Sequence, residues 1–150
     1  MTLVPVQTEV LSIIWLPGFT FEQMLKAGGF DRPHNSISSQ YFPGEGTETY
    51  VVPVEKKIAF TFFGREVTKA ELASYIEDKA GRSLCGPTDA LVVGMQHKEF
   101  QRTHPSVFPA QSLKEDHFIG LFGCSKERRI GLTAYFGGGF ASGLWFAISE

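Results

Sequence analysis

Two cysteines and four histidines are the side chains whose types could support nucleophilic or metal chemistry. Cys85 stands just before a predicted helix start, where the positive end of the helix dipole favours a thiolate. His97 and His104 are the histidines that could serve it as a general base. One hypothesis is therefore a thiol-dependent hydrolase or transferase with Cys85, His97 and His104 as candidate catalytic residues. The competing interpretation makes Cys85, like Cys124, an inert thiol.

The sequence contains no recognisable metal or cofactor motif. His97 and His104 would lie on one helix face only if the helix continued to residue 104, and Pro105 favours an earlier end. Neither Cys-x-x-Cys nor His-Glu-x-x-His occurs. The three glycines at 137–139 stand between predicted strands, which indicates a hairpin turn and not a phosphate-binding loop. We expect no metal and no cofactor.

A second set of residues could line a binding cleft. Asp31 and Asn35 lie in a predicted loop over 31–46, and functional residues concentrate on loops held by a rigid scaffold. The candidate ligand-binding residues are Asp31, Asn35, Tyr41, Arg102, Tyr135 and Trp145. In the alternative interpretation the short polar side chains bond their own backbone, and Arg102 pairs with Glu99 at a helix end.

Two helices with clear start signals support these residues. Thr20 is placed to cap a helix over 21–27, which the glycines at 28 and 29 end. The spacing from Thr68 to Glu71 is that of a capping box, and Gly81 supplies the stop for this second helix. Its predicted apolar face consists of Leu72, Ala73, Ile76 and Ala80.

A third helix is predicted from about 88 to 100. Thr88 or Asp89 can cap it, and Leu91, Val92 and Met95 form its apolar stripe. A glycine at 94 costs such a helix roughly 1 kcal/mol relative to alanine. A close packing contact at this position is therefore expected.

Alternation of apolar and polar residues predicts the strands. It holds from 50 to 62, which indicates one long strand or two segments that meet at an irregular step, and Pro53 places the strand at an edge or a bulge. A hairpin over 55–57 is the alternative. Later strands are predicted from Val107, limited by Pro109, and over 118–122, 129–135 and 144–148. The basic residues Lys126, Arg128 and Arg129 mark a solvated hairpin turn between two of these strands.

These elements predict an α+β fold: one domain with a mainly antiparallel sheet, two to three short helices and a C-terminal β-meander. A length of 150 residues fits a single domain, and the formal charge of −2 makes nucleic-acid binding by bulk positive charge unlikely. No apolar run approaches the ~20 residues of a membrane-spanning helix, and no signal peptide is visible. We expect a cytoplasmic protein that does not enter membranes. The 14 phenylalanines indicate a Phe-rich core or, alternatively, an aromatic ligand pocket.

Short motifs over nearly the whole chain share their order with those of a known group. They include Ala-Gly-Gly-Phe-Asp at 27–31, Glu-Phe-Gln-Arg with a following proline at 99–105, and spaced Arg, Leu, aromatic and Gly residues from 129 to 146. In these the chain resembles a group of short uncharacterised bacterial proteins with no assigned function. It departs from them at 83–86, where they carry Arg-Pro-Ala-Thr, and at 144–145, where they carry Cys-Arg. The helix-then-meander order is also similar to C-type-lectin-like modules, as a fold analogy only.

The favoured hypothesis is a binding or interaction module. The sequence discloses no enzymatic activity. A protein or a small molecule could be its ligand. A homo-oligomer that buries the outer edge of the long strand is a further alternative.

Overall fold

The computed structural model of the chain describes residues 3–31, 33, 36–79, 81–112, 117–134 and 139–150. Within these ranges the chain forms seven strands and four helices. The elements are β1 (Gln7–Trp15), α1 (Phe21–Gly28), β2 (Val54–Phe62), α2 (Lys69–Glu77), β3 (Ser83–Leu84), α3 (Pro87–Gln96), α4 (Phe100–Thr103), β4 (Ser106–Ser112), β5 (His117–Gly123), β6 (Arg128–Ala134) and β7 (Trp145–Ser149). The predicted α+β class is confirmed.

All seven strands belong to one sheet. Its order is β1-β2-β7-β4-β5-β6, and the short β3 also pairs with β7. Only the β4–β7 pair is parallel. The predicted meander therefore holds for β4, β5 and β6 and is wrong for β7, which inserts between β2 and β4. Among the described strands β6 does not pair with β7, so the predicted hairpin between them is also wrong, while positions 137 and 138 of its predicted turn lie outside the described residues.

Both faces of the sheet are covered, which explains why its central strands are buried throughout. Alternate residues of a strand point to opposite faces. In β7, Trp145 and Ala147 join the larger core beneath α1 and α3, whereas Phe146 and Ile148 join a smaller core beneath α2. The phenylalanines pack in both cores, as the Phe-rich core interpretation expects.

β1 is the one long strand that the sequence analysis did not predict. It lies at the edge of the sheet and pairs antiparallel with β2 along its whole length. Its outer edge is partly occupied by side chains from the end of α3. The Gln96 amide accepts from Ile14 N–H at 2.9 Å and donates to Ile14 C=O at 2.7 Å, so it substitutes for a neighbouring strand there.

The long strand predicted over 50–62 is shorter and lies elsewhere in the sheet. β2 begins at Val54, because the chain over 50–53 turns and leaves Val51 and Val52 exposed. Pro53 lies before the first residue of β2, so its missing N–H breaks no hydrogen bond between strands. β2 lies between β1 and β7, so the predicted edge position and the hairpin alternative are both wrong, and the strand has no outer edge to bury in an oligomer.

The predicted cap of α1 and the predicted capping box of α2 are confirmed, and α1 also has a capping box that was not predicted. Thr20 and Thr68 accept from the backbone of Gln23 and Glu71, whose side chains accept from the cap backbone in return. Gly29 ends α1 in the left-handed conformation, with φ of 63°. α2 ends at Glu77, four residues before Gly81. It buries Leu72 and Tyr75, while the predicted face member Ala73 is exposed and Ala80 lies outside the described residues.

The third predicted helix is split into α3 and α4, separated by a turn at residues 97–99. Gly86 is the N-cap of α3 and contributes no side-chain bond, so the predicted caps Thr88 and Asp89 lie inside the first turn. The expected close contact at Gly94 is present. A Cβ at this position would lie 2.1 Å from Cζ of Phe30, too close for any side chain.

Arg128 corrects the prediction of a solvated basic turn. Its side chain is buried, and its guanidinium donates to the carbonyls of Gly28, Gly94 and Lys98 and to the Gln101 side chain. Burial lowers the pKa of the Arg128 guanidinium, and the nearby positive charge of Arg102 lowers it further. The residue joins α1, α3 and α4 to the start of β6.

β4 also runs past the predicted limit at Pro109, to Ser112. Its pairing with β5 changes register between Phe108 and Ser112. A proline inside a strand is tolerated at such an irregularity because its missing N–H breaks no regular ladder bond there.

Candidate functional site

The carboxylate of Asp89 is the centre of a polar network beneath the end of β1. The Trp15 indole N–H donates to its Oδ1 at 2.9 Å, and the Lys56 ammonium donates to Oδ1 at 3.0 Å and to Oδ2 at 2.8 Å. The same ammonium lies 4.9 Å from the centroid of the Trp15 ring. These charge-assisted contacts fix the orientation of the indole.

The local folding of three elements produces this network. Asp89 lies in the first turn of α3, where a negative charge is favoured by the helix dipole. Lys56 is paired with Ile13 across β1 and β2, so its side chain shares a sheet face with Trp15, two residues beyond Ile13. The Asp89 side chain is only 5% exposed. A carboxylate this deeply buried requires a charged partner and hydrogen-bond donors, and Lys56 and Trp15 supply them.

Cys85 belongs to the same network as a buried thiol. Burial raises the pKa of the Cys85 thiol, and the negative charge of Asp89, with which it is hydrogen-bonded, raises that pKa further. The two candidate bases contact β1 instead: His97 Nε2 lies 2.8 Å from the Ser12 carbonyl oxygen, and His104 Nε2 lies 3.1 Å from Glu9. The nucleophile hypothesis requires a lowered thiol pKa, whereas the pKa of Cys85 is raised.

The segment over 45–52 is held against the end of β1 by two side chains. Thr47 is buried, donates to the Leu16 carbonyl at 2.6 Å and accepts from Phe19 N–H at 3.2 Å. The Glu45 carboxylate accepts from the N–H and the hydroxyl of Thr88, at the start of α3. This anchoring brings the Tyr50 ring edge-on to Trp15, with a centroid separation of 5.3 Å.

An exposed apolar area surrounds this aromatic pair. We call it the Trp15 surface and define it as Trp15, Leu16, Tyr50, Val51 and Val52. The side chains that follow Trp15 and Tyr50 in the chain are largely in solvent: Leu16 is 43% exposed, Val52 61% and Val51 87%. Exposed apolar residues next in the chain to a fixed aromatic pair are typical of a binding surface.

His104 is the centre of a second network, near the other end of β1. Its Nε2 lies 3.1 Å from Glu9 Oε1, and its Nδ1 lies 2.7 Å from Thr103 Oγ1 and 3.2 Å from the Phe100 carbonyl oxygen. The ring stacks on Phe100 at 4.2 Å and meets Trp145 edge-on at 4.7 Å. The structure thus brings together two candidates from the sequence, His104 and Trp145.

Arg102 adjoins this second network through a surface cavity. The cavity has a volume of about 590 Å³ and is lined by Glu99, Arg102, Thr103 and Ser125. Arg102 is paired with Glu99 at 2.7 Å, as its structural interpretation predicts, and its guanidinium also donates to the Cys124 carbonyl. Arg102, held by these two partners, and the exposed residue Thr103 therefore line the same cavity.

The remaining candidates do not assemble a cleft among the described residues. Asp31 exchanges backbone and side-chain bonds with the backbone of Arg128 and so fastens the loop to β6. Tyr41 is 41% exposed in the loop over 31–46. Asn35 and Tyr135 lie outside the described residues, so their proposed role stays a prediction.

Within the described ranges, no three His, Cys, Asp or Glu side chains are grouped so that they could hold a metal ion. No helix in that part of the chain is long and apolar enough to cross a membrane. Comparison with protein-family models, curated proteins and solved structures found no match. The resemblance to short bacterial proteins therefore stays a prediction.

Sequence reasoning missed four residues of the two networks: Glu9, Trp15, Lys56 and Thr103. Trp15 and Asp89 are separated by 74 residues, and Glu9 and His104 by 95. No local spacing encodes contacts of that range. The available signal was Lys56, the single polar break in the apolar alternation of β2, because a charge on a core-facing position requires a buried partner.

Proposed function

We propose that the chain is a protein-binding module that binds an apolar segment of its partner with the Trp15 surface. The observation that carries the proposal is the exposure of Val51 and Val52 beside a Trp15–Tyr50 pair whose orientation Asp89 fixes. Rigid aromatic residues lose little conformational entropy on binding and are enriched where binding energy concentrates.

The shape of the surface favours a protein over a small molecule as the partner. Small-molecule sites are concave and bury most of the ligand. Val51 projects into solvent over 87% of its surface, so the partner has to supply the walls that enclose it. A pocket or groove on another protein does this.

The compartment belongs to the same proposal. Cys124 is a free, exposed cysteine and Cys85 a free, buried one. Free thiols fit a reducing compartment, and we infer a cytoplasmic location from them.

A displayed library of short random peptides, selected on the full chain, tests the proposal. Selected peptides are expected to be rich in apolar residues and to bind the Val51→Asp variant at least about tenfold more weakly. Val4→Asp is the matched control, because Val4 is 72% exposed and lies outside the Trp15 surface. Equal affinity of the peptides for wild type and Val51→Asp would contradict the proposal.

Sedimentation of the free chain distinguishes a foreign partner from a second copy. A dimer that Val51→Asp dissociates and Val4→Asp does not would make the homo-oligomer the function of this surface. A monomer whose peptides bind as above supports a foreign partner.

A further inference from the structure

The second network carries an activity that is independent of partner binding. We propose that Thr103, His104 and Glu9 form a nucleophile, base and carboxylate set that transfers acyl groups from small carboxylic esters.

The hydrogen-bond chemistry of His104 sets the roles. An ionised carboxylate only accepts, so the tautomer in which Nε2 carries the proton is the one that satisfies the 3.1 Å contact with Glu9, and it is the tautomer that this set requires. Nδ1 is then an acceptor, and the Thr103 hydroxyl at 2.7 Å is the donor that can supply its hydrogen. The alternative acceptor for this hydroxyl, the Phe100 carbonyl oxygen, lies farther away at 3.4 Å.

The surroundings hold the imidazole ready to accept a proton. Phe100 and Trp145 contact the ring on a face and at an edge, which restricts its rotation. Once Nδ1 is protonated, the Phe100 carbonyl oxygen at 3.2 Å accepts from it while Glu9 continues to accept from Nε2. Both N–H groups of the imidazolium then have partners. This arrangement has the logic of a nucleophile–His–carboxylate triad with the two ring nitrogens exchanged.

The reacting hydroxyl is accessible to a substrate. Thr103 is exposed and lines the cavity that also contains the Arg102 guanidinium. A cation in the same cavity, here one paired with Glu99 on one side only, is available to stabilise the negative charge that develops on an ester carbonyl oxygen under attack.

The reaction balances with the groups present and water. Thr103 Oγ bonds to the ester carbonyl carbon and passes its proton to His104 Nδ1. The bond between that carbon and the alcohol oxygen breaks, and the alcohol leaves with the proton. Water then attacks the acyl-threonine and gives one proton to His104, which returns it to Thr103 Oγ as the carboxylic acid departs.

Acetyl transfer from p-nitrophenyl acetate to the full chain tests the proposal. Intact mass and peptide mapping are expected to show one acetyl group, on Thr103. Thr103→Val removes the hydroxyl at nearly constant volume and should reduce uptake by at least about a hundredfold. Thr103→Ser should restore it, and Thr49→Val is the matched control at another exposed threonine.

Glu9 is a positioning residue, so its variant needs a readout that a structural role does not change. Glu9→Gln should lower kcat roughly tenfold or more with KM unchanged, and its unfolding midpoint should equal that of wild type. The absence of both acetyl uptake and p-nitrophenol release above the uncatalysed rate in wild type, an acetyl group on His104 or on lysine, or equal uptake and release by Thr103→Val would overturn the proposal. An unchanged kcat in Glu9→Gln would overturn it also.

Discussion

The two ends of β1 contact polar networks that differ in kind. At the Trp15 end, both oxygens of the Asp89 carboxylate are engaged, by an indole N–H and an ammonium, and its side chain is buried. At the Glu9 end, the chain of bonds through His104 finishes on the hydroxyl of an exposed residue, Thr103. In the first network the carboxylate is buried beneath partly exposed partners, whereas the second reaches an exposed residue that lines a cavity.

Because of this difference, we assign a structural role to the Asp89 network and a reactive role to the His104 network. A buried charge whose partners are all protein groups stabilises one arrangement, and here it presents a rigid aromatic pair next to exposed valines. A hydroxyl that donates to an imidazole and still meets solvent can exchange its proton during a reaction. Variants of the two networks should therefore divide between stability and activity.

Replacing the carboxylates of Asp89 and Glu9, one at a time, should give the largest difference in stability between the two networks. Asp89→Ala leaves the Trp15 indole N–H and the Lys56 ammonium without their acceptor, so we expect a loss of about 2–3 kcal/mol in the free energy of unfolding. Glu9→Gln, at a carboxylate that is 39% exposed, should cost less than about 0.5 kcal/mol. Urea denaturation measures both values, and equal losses would remove the distinction between the networks.

The two cysteines provide a second comparison. Cys124 is exposed, whereas Cys85 is buried with a raised thiol pKa. A thiol reagent should modify Cys124 at least about a hundredfold faster than Cys85 in the native protein, because only the thiolate reacts. Mass spectrometry after timed labelling gives both rates. Rapid labelling of Cys85 in folded protein would restore the thiol-nucleophile hypothesis.

The surface ion pair of Arg65 and Glu71 provides a third comparison, with the buried carboxylate of Asp89. The hydrogen bond from Arg65, aided by bonds from Thr68, lowers the pKa of Glu71 from 4.5 to about 2. A carboxyl whose pKa is lowered on folding stabilises the protein above its unfolded pKa. The stabilisation relative to Glu71→Gln should therefore be small but complete at pH 7 and disappear as the pH falls from 4.5 to about 2. A pH-independent difference between the two proteins would contradict this origin.

Local signals account for the parts of the fold that the sequence predicts. The Thr–Gln and Thr–Glu boxes define the starts of α1 and α2, and alternation locates the cores of β2, β5, β6 and β7. β1 was missed because an edge strand exposes residues such as Val10 and Ser12 on one face and so lacks a clean apolar alternation. The position of β7 depends on a parallel pairing with β4, which no neighbouring residue specifies.

The candidate site was less predictable than the fold for the same reason. His104, Arg102 and Trp145 could be chosen by residue type, and the structure places all three around one network and its cavity. Their partners come from β1 and from α4, and only tertiary packing brings β1 to the other elements. Asp89 was considered only as a helix cap, because its burial against Trp15 and Lys56 leaves no local pattern.

Mapping a selected peptide on the labelled chain by amide and indole NMR shifts tests the central claim most directly. The account predicts that the largest shift changes fall on the Trp15 indole N–H and on the amides of Leu16, Tyr50, Val51 and Val52, while the signals of Thr103 and His104 stay in place. Changes centred on the cavity beside Thr103, or on the exposed face of α2, would contradict the assignment of the Trp15 surface as the binding surface.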